Sequence, residues 1–205
     1  MAITTYAELT AAVRDWLGRT NDSVALTNAR VEDAVRLAEV DIYERLRVRE
    51  METSGDLTIN AQTVAIPAGM IGVRRLHITS DPLLELDYMA PPQFWGSFGS
   101  NITGLPWAYT MEGDNFVFGP APDATYTGKL LYWKRLAALS SAVNNLFANQ
   151  PDLWLYGALS HAAVFTRDME DAAMWKGKFA EALARAEMSN EKSRFGGAPL
   201  VMRGG

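Results

Sequence analysis

Hydrophobic positions at helical spacing open the chain. Leu9, Val13 and Trp16 fall on one face of a first predicted helix, behind a Thr5–Glu8 pair that is typical of a capping box. A second predicted helix begins at Thr27 as N-cap and carries a longer apolar stripe: Val31, Val35, Ala38, Ile42 and Leu46. The N-terminal segment therefore predicts a pair of amphipathic helices.

A second helical pattern closes the chain. The third predicted helix opens at Gln150 or Pro151, because proline has no amide N–H to leave unpaired and therefore suits the first turn. The fourth predicted helix runs from about Asp168 to Lys192. Its apolar face comprises Ala172, Trp175, Phe179, Ala182, Leu183 and Ala186.

Between the two helical segments the hydrophobic period changes to that of strands. Short β-type runs alternate with turn residues from Thr53 onward, a Gly113-Asp114 pair predicts a hairpin, and Tyr126 to Lys134 is the longest predicted strand. The segment from Met89 to Pro106 is predicted to be a loop.

These patterns predict an α+β fold that is mainly α. We expect a four-helix bundle built from the N- and C-terminal helix pairs, with an inserted small antiparallel β domain and an extended C-terminal arm. The predicted bundle is discontinuous (1–52 and 136–192), the β-rich insertion spans 53–135, and the flexible arm spans 193–205.

Two segments belong neither to a predicted helix nor to a predicted strand, and both are candidate contact sites. Phe94, Trp95 and Phe98 lie in the predicted loop, where they form either a plug over the β domain or a subunit or tail interface. The arm is either a frayed terminus or a peptide that docks in another subunit. The arm residues that would make that contact are Phe195, Pro199, Leu200, Val201, Met202 and Arg203.

Composition narrows the function classes. The chain has no cysteine, which excludes disulfides and thiolate chemistry, and its net charge is −5, which disfavours a protein that grips nucleic acid by its phosphates. The sequence shows no leader peptide and no apolar run long enough to span a bilayer, so we expect a soluble protein made in the cytoplasm.

The sequence contains few candidates for catalytic, metal-binding or phosphate-binding residues. His77 and His161 lack a metal-binding spacing, and no phosphate-binding glycine motif occurs. Glu112 and Asp114 are the acid pair considered for glycosidic cleavage, but they flank a predicted turn and are expected to serve turn geometry and solubility. We expect no catalytic residue, no metal site and no cofactor.

Several short segments in a fixed order resemble head-to-tail adaptor proteins of tailed bacteriophages, also called tail accessory or head-completion proteins. The resemblance covers roughly Thr5 to Glu187. The segments are Ile42-Tyr43-Glu44-Arg45-Leu46, Ile66-Pro67-Ala68-Gly69, Leu105-Pro106-Trp107-Ala108-Tyr109, Phe116-Val117-Phe118-Gly119-Pro120-Ala121-Pro122, Leu130-Leu131-Tyr132-Trp133, Asn144-Asn145-Leu146-Phe147 and Pro151-Asp152-Leu153-Trp154-Leu155-Tyr156-Gly157-Ala158-Leu159.

The resemblance implies a structural virion protein rather than an enzyme. It would bind the portal as a ring of about twelve copies, extend the DNA channel without sequence-specific DNA binding, and attach the tail or nozzle protein at the virion neck. It also implies that C-terminal arms hold the portal contact. Two alternatives stay open: a virion-associated cell-wall hydrolase, and a neck or tail-completion protein at another joint.

Overall fold

The computed structural model describes residues 3–18, 26–99 and 102–195. The chain divides into two compact units. Met1–Glu50 and Leu136–Gly205 form the first, here called the helical unit, and Met51–Arg135 form the second, here called the β unit. Helices and antiparallel sheets both occur, as the sequence predicts.

The described residues contain six α-helices. These are α1 (Tyr6–Trp16), α2 (Asn28–Arg45), α3 (Pro91–Ser97), α4 (Asn145–Asn149), α5 (Pro151–Phe165) and α6 (Met169–Phe195). The predicted helix starts are confirmed. Thr5 and Glu8 form the capping box of α1, the Thr27 side chain accepts from the Arg30 amide at the start of α2, and Pro151 is the first residue of α5.

Helix α5 is the centre of the helical unit and packs against α1, α2, α4 and α6. At Gly157 the packing leaves no room for a side chain, because an added Cβ would lie 2.9 Å from the Cβ of Ala38 in α2 and 3.1 Å from the ring of Phe179 in α6. An aromatic group also joins three helices: the Trp16 and Trp175 rings lie 5.6 Å apart, and Tyr156 stacks on Trp175 at 6.1 Å.

The segment that connects the β unit to α5 is held by two polar side chains. The Glu39 carboxylate of α2 accepts from the Leu139 amide at 2.7 Å, and Leu139 is itself buried. The Asn144 side chain accepts from the Phe147 amide and begins α4, a short helix that directly precedes α5.

The described residues of the β unit form ten strands. These are β1 (Glu52–Ile59), β2 (Thr63–Ala65), β3 (Met70–Ile78), β4 (Leu84–Glu85), β5 (Asp87–Tyr88), β6 (Thr103–Gly104), β7 (Ala108–Glu112), β8 (Asn115–Gly119), β9 (Ala121–Pro122) and β10 (Tyr126–Lys134). Sheet 1 has the antiparallel order β1-β10-β3-β4, sheet 2 has the order β2-β8-β7-β5, and β6 pairs with β9. In sheet 2, β5 runs parallel to β7, whereas β7 and β8 form the predicted hairpin around Gly113, whose φ is +56°.

The two main sheets pack face to face. Leu76 and Ile78 of β3 and Leu130 and Tyr132 of β10 meet residues of sheet 2 that include Phe116 in a common core. Alternate residues of the same strands point away from it, so that sheet 1 presents an outer face.

Helix α3 forms a third layer and corrects the expected loop between Met89 and Pro106. Phe94 and Phe98 pack on Ala108 and Val117, which lie on the side of sheet 2 that faces away from sheet 1. A helix forms here because Pro91 and Pro92 fit its first turn and because its buried side chains are spaced one turn apart.

Candidate functional site

The most distinctive surface of the β unit is a group of large apolar side chains that remain exposed. Trp95 of α3 is 44% exposed and Trp107, just before β7, is 45% exposed; Ile102 and Leu105 lie exposed in the segment between them. We call these four residues the aromatic surface. A group of exposed apolar side chains on a folded protein indicates an interaction site, and tryptophan is enriched at protein interfaces.

Two buried rings lie beneath the tryptophans of the aromatic surface. The Phe94 ring lies 5.4 Å from Trp95 and 5.0 Å from Phe98, and Phe98 lies 5.1 Å from Trp107. Phe94 and Phe98 are buried. Because each exposed ring rests on a buried one, the surface loses little side-chain entropy when a partner covers it.

Gly119 sets how closely α3 approaches sheet 2. A Cβ at this position would lie 2.6 Å from the Phe98 ring and 2.8 Å from the Phe94 ring. The Gly119 carbonyl also accepts from the Trp107 amide at 3.1 Å. A single glycine therefore positions both tryptophans of the aromatic surface.

A carboxylate fixes the orientation of Trp95. Its indole Nε1–H donates to Glu112, which ends β7. Asp114 lies exposed in the following turn. The acid pair considered for glycosidic chemistry thus consists of one carboxylate that binds an indole and one that lies in a surface turn, whereas cleavage requires two carboxyls facing each other across a bound sugar.

In the helical unit, Asp41, Ser160 and His161 lie beside one another in a groove of about 320 Å³. His161 Nε2 lies 3.1 Å from an Asp41 carboxylate oxygen. The Ser160 hydroxyl, however, donates to the Gly157 carbonyl at 2.7 Å rather than to the imidazole. A nucleophilic relay needs the serine hydroxyl bonded to the histidine, so this arrangement is that of a helix–helix contact.

The other histidine, His77, lies opposite Glu85 and Lys129 in sheet 1. Across residues 3–18, 26–99 and 102–195, no three His, Asp or Glu side chains come together as a metal-binding group. In the same residues, none of the helices combines the length and the apolar character needed to cross a membrane.

Glu39 is the buried acid of the helical unit, with 7% of its surface exposed. Burial raises the pKa of its carboxyl above the ordinary value, and the Leu139 amide and the Arg36 guanidinium only partly oppose that rise. Its role is to hold the connecting segment at Leu139, as described above.

Comparison with protein-family models matches residues 4–203, nearly the whole chain, to the SU10 adaptor protein family. The chain belongs to the SU10 adaptor protein family. Comparison with curated proteins gives no match. Membership identifies a structural adaptor protein of bacteriophages and confirms the resemblance drawn from the sequence at that level.

Family membership implies that this SU10-type adaptor contacts other structural proteins of the virion. Of its three sequence-predicted interface aromatics, Trp95 is exposed, whereas Phe94 and Phe98 are core residues that support the surface from below. The sequence interpretation missed Trp107. The signal was available, because Trp107 follows Leu105-Pro106 in the same charge-free stretch.

The predicted arm of the SU10-type adaptor lies largely outside the described residues. Helix α6 ends at Phe195 and so includes 193–195, the first three residues of that arm. Pro199, Leu200, Val201, Met202 and Arg203 fall beyond residue 195. Their role in portal binding stays a prediction.

Proposed function

We propose that this adaptor joins the head of a tailed bacteriophage to its tail. It binds the portal as a ring, extends the DNA channel and provides the attachment site for the tail or nozzle protein. The observation that carries the proposal is the family match over residues 4–203. The rigid aromatic surface supports it, because a joint between proteins needs preformed contact surfaces.

The helical unit is the body of the proposed ring subunit. In this proposal α1, α2, α5 and α6 form the four-helix bundle expected from the terminal helix pairs. The packing of α5 against the other three supports that arrangement. Twelve copies are proposed, placed around one axis by a head-to-tail contact that repeats from copy to copy.

The proposed channel passes DNA without reading its sequence. Affinity for the phosphate backbone comes from Lys and Arg, whereas this chain has 19 of these against 24 Asp and Glu. A wall of net negative charge repels phosphates and leaves DNA free to move during packaging and genome ejection.

The C-terminal arm is the proposed portal contact, through Phe195, Pro199 and the segment 200–203. The exposed rings of the β unit are the proposed contact with a neighbouring subunit or the tail. The protein is made in the host cytoplasm and ends at the virion neck, between portal and tail.

No catalysis forms part of this proposal. The indole hydrogen bond at Glu112 and the serine–backbone hydrogen bond at Ser160 support that view. The hydrolase alternative is tested by adding purified protein to cell-wall substrate. We expect no clearing; clearing that Glu112→Gln abolishes would replace the proposal with the hydrolase.

The joint itself is tested by sedimentation of purified protein with isolated portals and then with tails. We expect the protein to sediment with portals, and tails to join only portals that already carry it. If the folded protein leaves portals unbound but sediments with tails alone, it acts at another joint of the neck or tail.

A further inference from the structure

The β unit has two opposite faces of different character. One is the aromatic surface on the α3 side of sheet 2. The other is the outer face of sheet 1, here called the sheet 1 face, which carries Arg74, Arg75, Lys129, Leu131 and Trp133. The common core and sheet 2 lie between the two faces, so they point in opposite directions.

The two faces differ in where the cations lie. From Leu76 to Gly128 the chain contains no Lys or Arg, but it contains six carboxylates. Two of them border the aromatic surface: Glu112, which binds Trp95, and Asp87 of β5, which lies in register with Ala108 under α3. The aromatic surface is therefore an apolar patch with an acidic rim and no cation in its own sequence segment.

The cations of the β unit all belong to two strands of sheet 1 or to the residue that follows them. These Lys and Arg residues lie on β3, on β10 or directly after β10: Arg74, Arg75, Lys129, Lys134 and Arg135. Arg74 lies over the Trp133 ring at 5.6 Å, so cation and aromatic side chain are combined on the sheet 1 face as well.

Each cation of the sheet 1 face has a carboxylate partner on the same sheet: Arg74 pairs with Glu52, Arg75 with Glu85 and Lys129 with Asp56. Arg75 donates to both carboxylate oxygens of Glu85, at 3.2 and 3.3 Å, and Lys129 lies 3.8 Å from Asp56; the side chains of these two pairs are exposed. Exposed ion pairs contribute little to stability, so these cations can change partners when another acidic surface arrives.

We infer that the aromatic surface of one copy packs against the sheet 1 face of the next copy. The acidic rim of Asp87 and Glu112 meets Arg75 and Lys129, and Trp95 and Trp107 meet Leu131 and Trp133. The inference rests on the proposed ring and names the residues that close it.

The geometry of a large ring favours this pairing. In a ring of twelve copies, neighbours are rotated by about 30°, so the two contact surfaces of a subunit must point in nearly opposite directions. The two faces of the β unit do so. A two-fold contact between identical aromatic surfaces would instead place acidic rim against acidic rim, and like charges at an interface cost binding energy.

The test uses two charge-reversal variants of the full chain. Variant one carries Asp87→Lys and Glu112→Lys; variant two carries Arg75→Glu and Lys129→Glu. A matched control, Glu32→Lys with Asp33→Lys, makes the same charge change as variant one on exposed positions of α2. Circular dichroism and the unfolding midpoint establish that every variant is folded.

Assembly is measured by sedimentation velocity for free protein and by native mass spectrometry for copies bound per portal. We expect each variant alone to self-associate about tenfold or more weakly than the wild type and the control. An equal mixture of the two variants should restore association. When the two variants alternate around the ring, every contact pairs a basic face with an acidic face.

The inference is overturned if both variants assemble like the wild type, if the mixture fails to restore assembly, or if the wild type self-associates neither free nor on portals. If variant one still forms rings but these rings no longer bind tails, the aromatic surface contacts the tail instead. If the charge-swap pattern holds but no form binds portals, the inference stands and the proposed function fails.

Discussion

At the scale of single residues, Trp154 is the largest fully buried side chain among the described residues. Its ring lies 5.5 Å from Phe147 in an edge-to-face contact between α5 and α4. That one ring fixes the short helix α4 on the central helix.

Replacing Trp154 with Ala should lower the free energy of unfolding by about 3–5 kcal/mol, because the change removes a buried ring and leaves a cavity. Denaturant unfolding followed by circular dichroism measures the loss. Leu83→Ala, at a position that is half exposed, is the control and should change stability by less than about 0.5 kcal/mol. Equal effects from the two substitutions would contradict the assigned packing.

The buried Glu39 makes stability depend on pH. Burial raises its pKa in the folded protein above the ordinary value, so folded protein holds a proton at pH values where the unfolded chain has lost it. Its contribution to stability is therefore largest below the ordinary pKa and declines as pH rises through the folded pKa.

Glu39→Gln removes this titration but keeps an oxygen for the Leu139 amide. We expect the variant to be more stable than the wild type at neutral pH, by about 1.4 kcal/mol for each pKa unit between folded and unfolded states. The difference should disappear as pH falls below the ordinary pKa. The free energy of unfolding is measured for both proteins across that pH range. A variant that is less stable than the wild type by the same amount at every pH would contradict the raised pKa.

At the scale of elements, the position of α3 on sheet 2 decides the geometry of the aromatic surface. Gly119→Ala should push Phe98 and Phe94 outward and cost about 1–3 kcal/mol, because neighbouring rings leave no space for a methyl group. Unfolding and tryptophan fluorescence together report the change. Gly96→Ala on the same helix is the matched control: its Cβ meets nothing within 4 Å, so the variant should be neutral or more stable.

If Gly119→Ala and Gly96→Ala behave alike in both measurements, α3 does not rest on Gly119. The aromatic surface would then lack the rigid support that its role as a contact site assumes.

The arm is the second element that the proposed function depends on. Deleting residues 194–205 should leave the unfolding midpoint within about 2 °C of the wild type, because a Gly-rich segment without hydrophobic periodicity is not expected to build a core. The truncated protein should nevertheless lose portal binding in a sedimentation assay. Normal assembly of the truncated protein on portals would show that the arm does not hold the contact.

The elements with local signals were predictable from the sequence. Thr5 and Thr27 cap their helices through hydrogen bonds within a single turn, and the strand from Tyr126 to Lys134 is marked by its own run of aromatic and aliphatic residues. Helices α3 and α4 were missed because each is shorter than two turns and gains stability from packing rather than propensity. The parallel contact of β5 with β7 depends on a distant partner strand, which periodicity does not reveal.

The candidate site was predictable only in outline. The aromatic stretch around Trp95 was visible from composition, but the division into buried Phe94 and Phe98 and exposed Trp95 and Trp107 depends on how α3 lies on sheet 2. The contrast between the two faces of the β unit likewise needs the strand register, which places Lys129 beside His77 on the outer face.

At the scale of the whole molecule, the two units have separable roles. In the proposed function, the helical unit supplies the bundle and the arm for the portal, and the β unit supplies two complementary faces for its neighbours. Since both roles are contacts between proteins, the account predicts that function survives changes to any single polar side chain in the Asp41–His161 groove. It predicts loss of function when a contact face is altered.

The most direct test of the account is an electron-microscopy reconstruction of purified portals incubated with this protein. The account predicts a closed ring of copies below the portal, with a continuous central channel and the β units of neighbouring copies in contact. Portals that stay bare at saturating concentrations of folded protein, or copies bound singly without lateral contact, would contradict it.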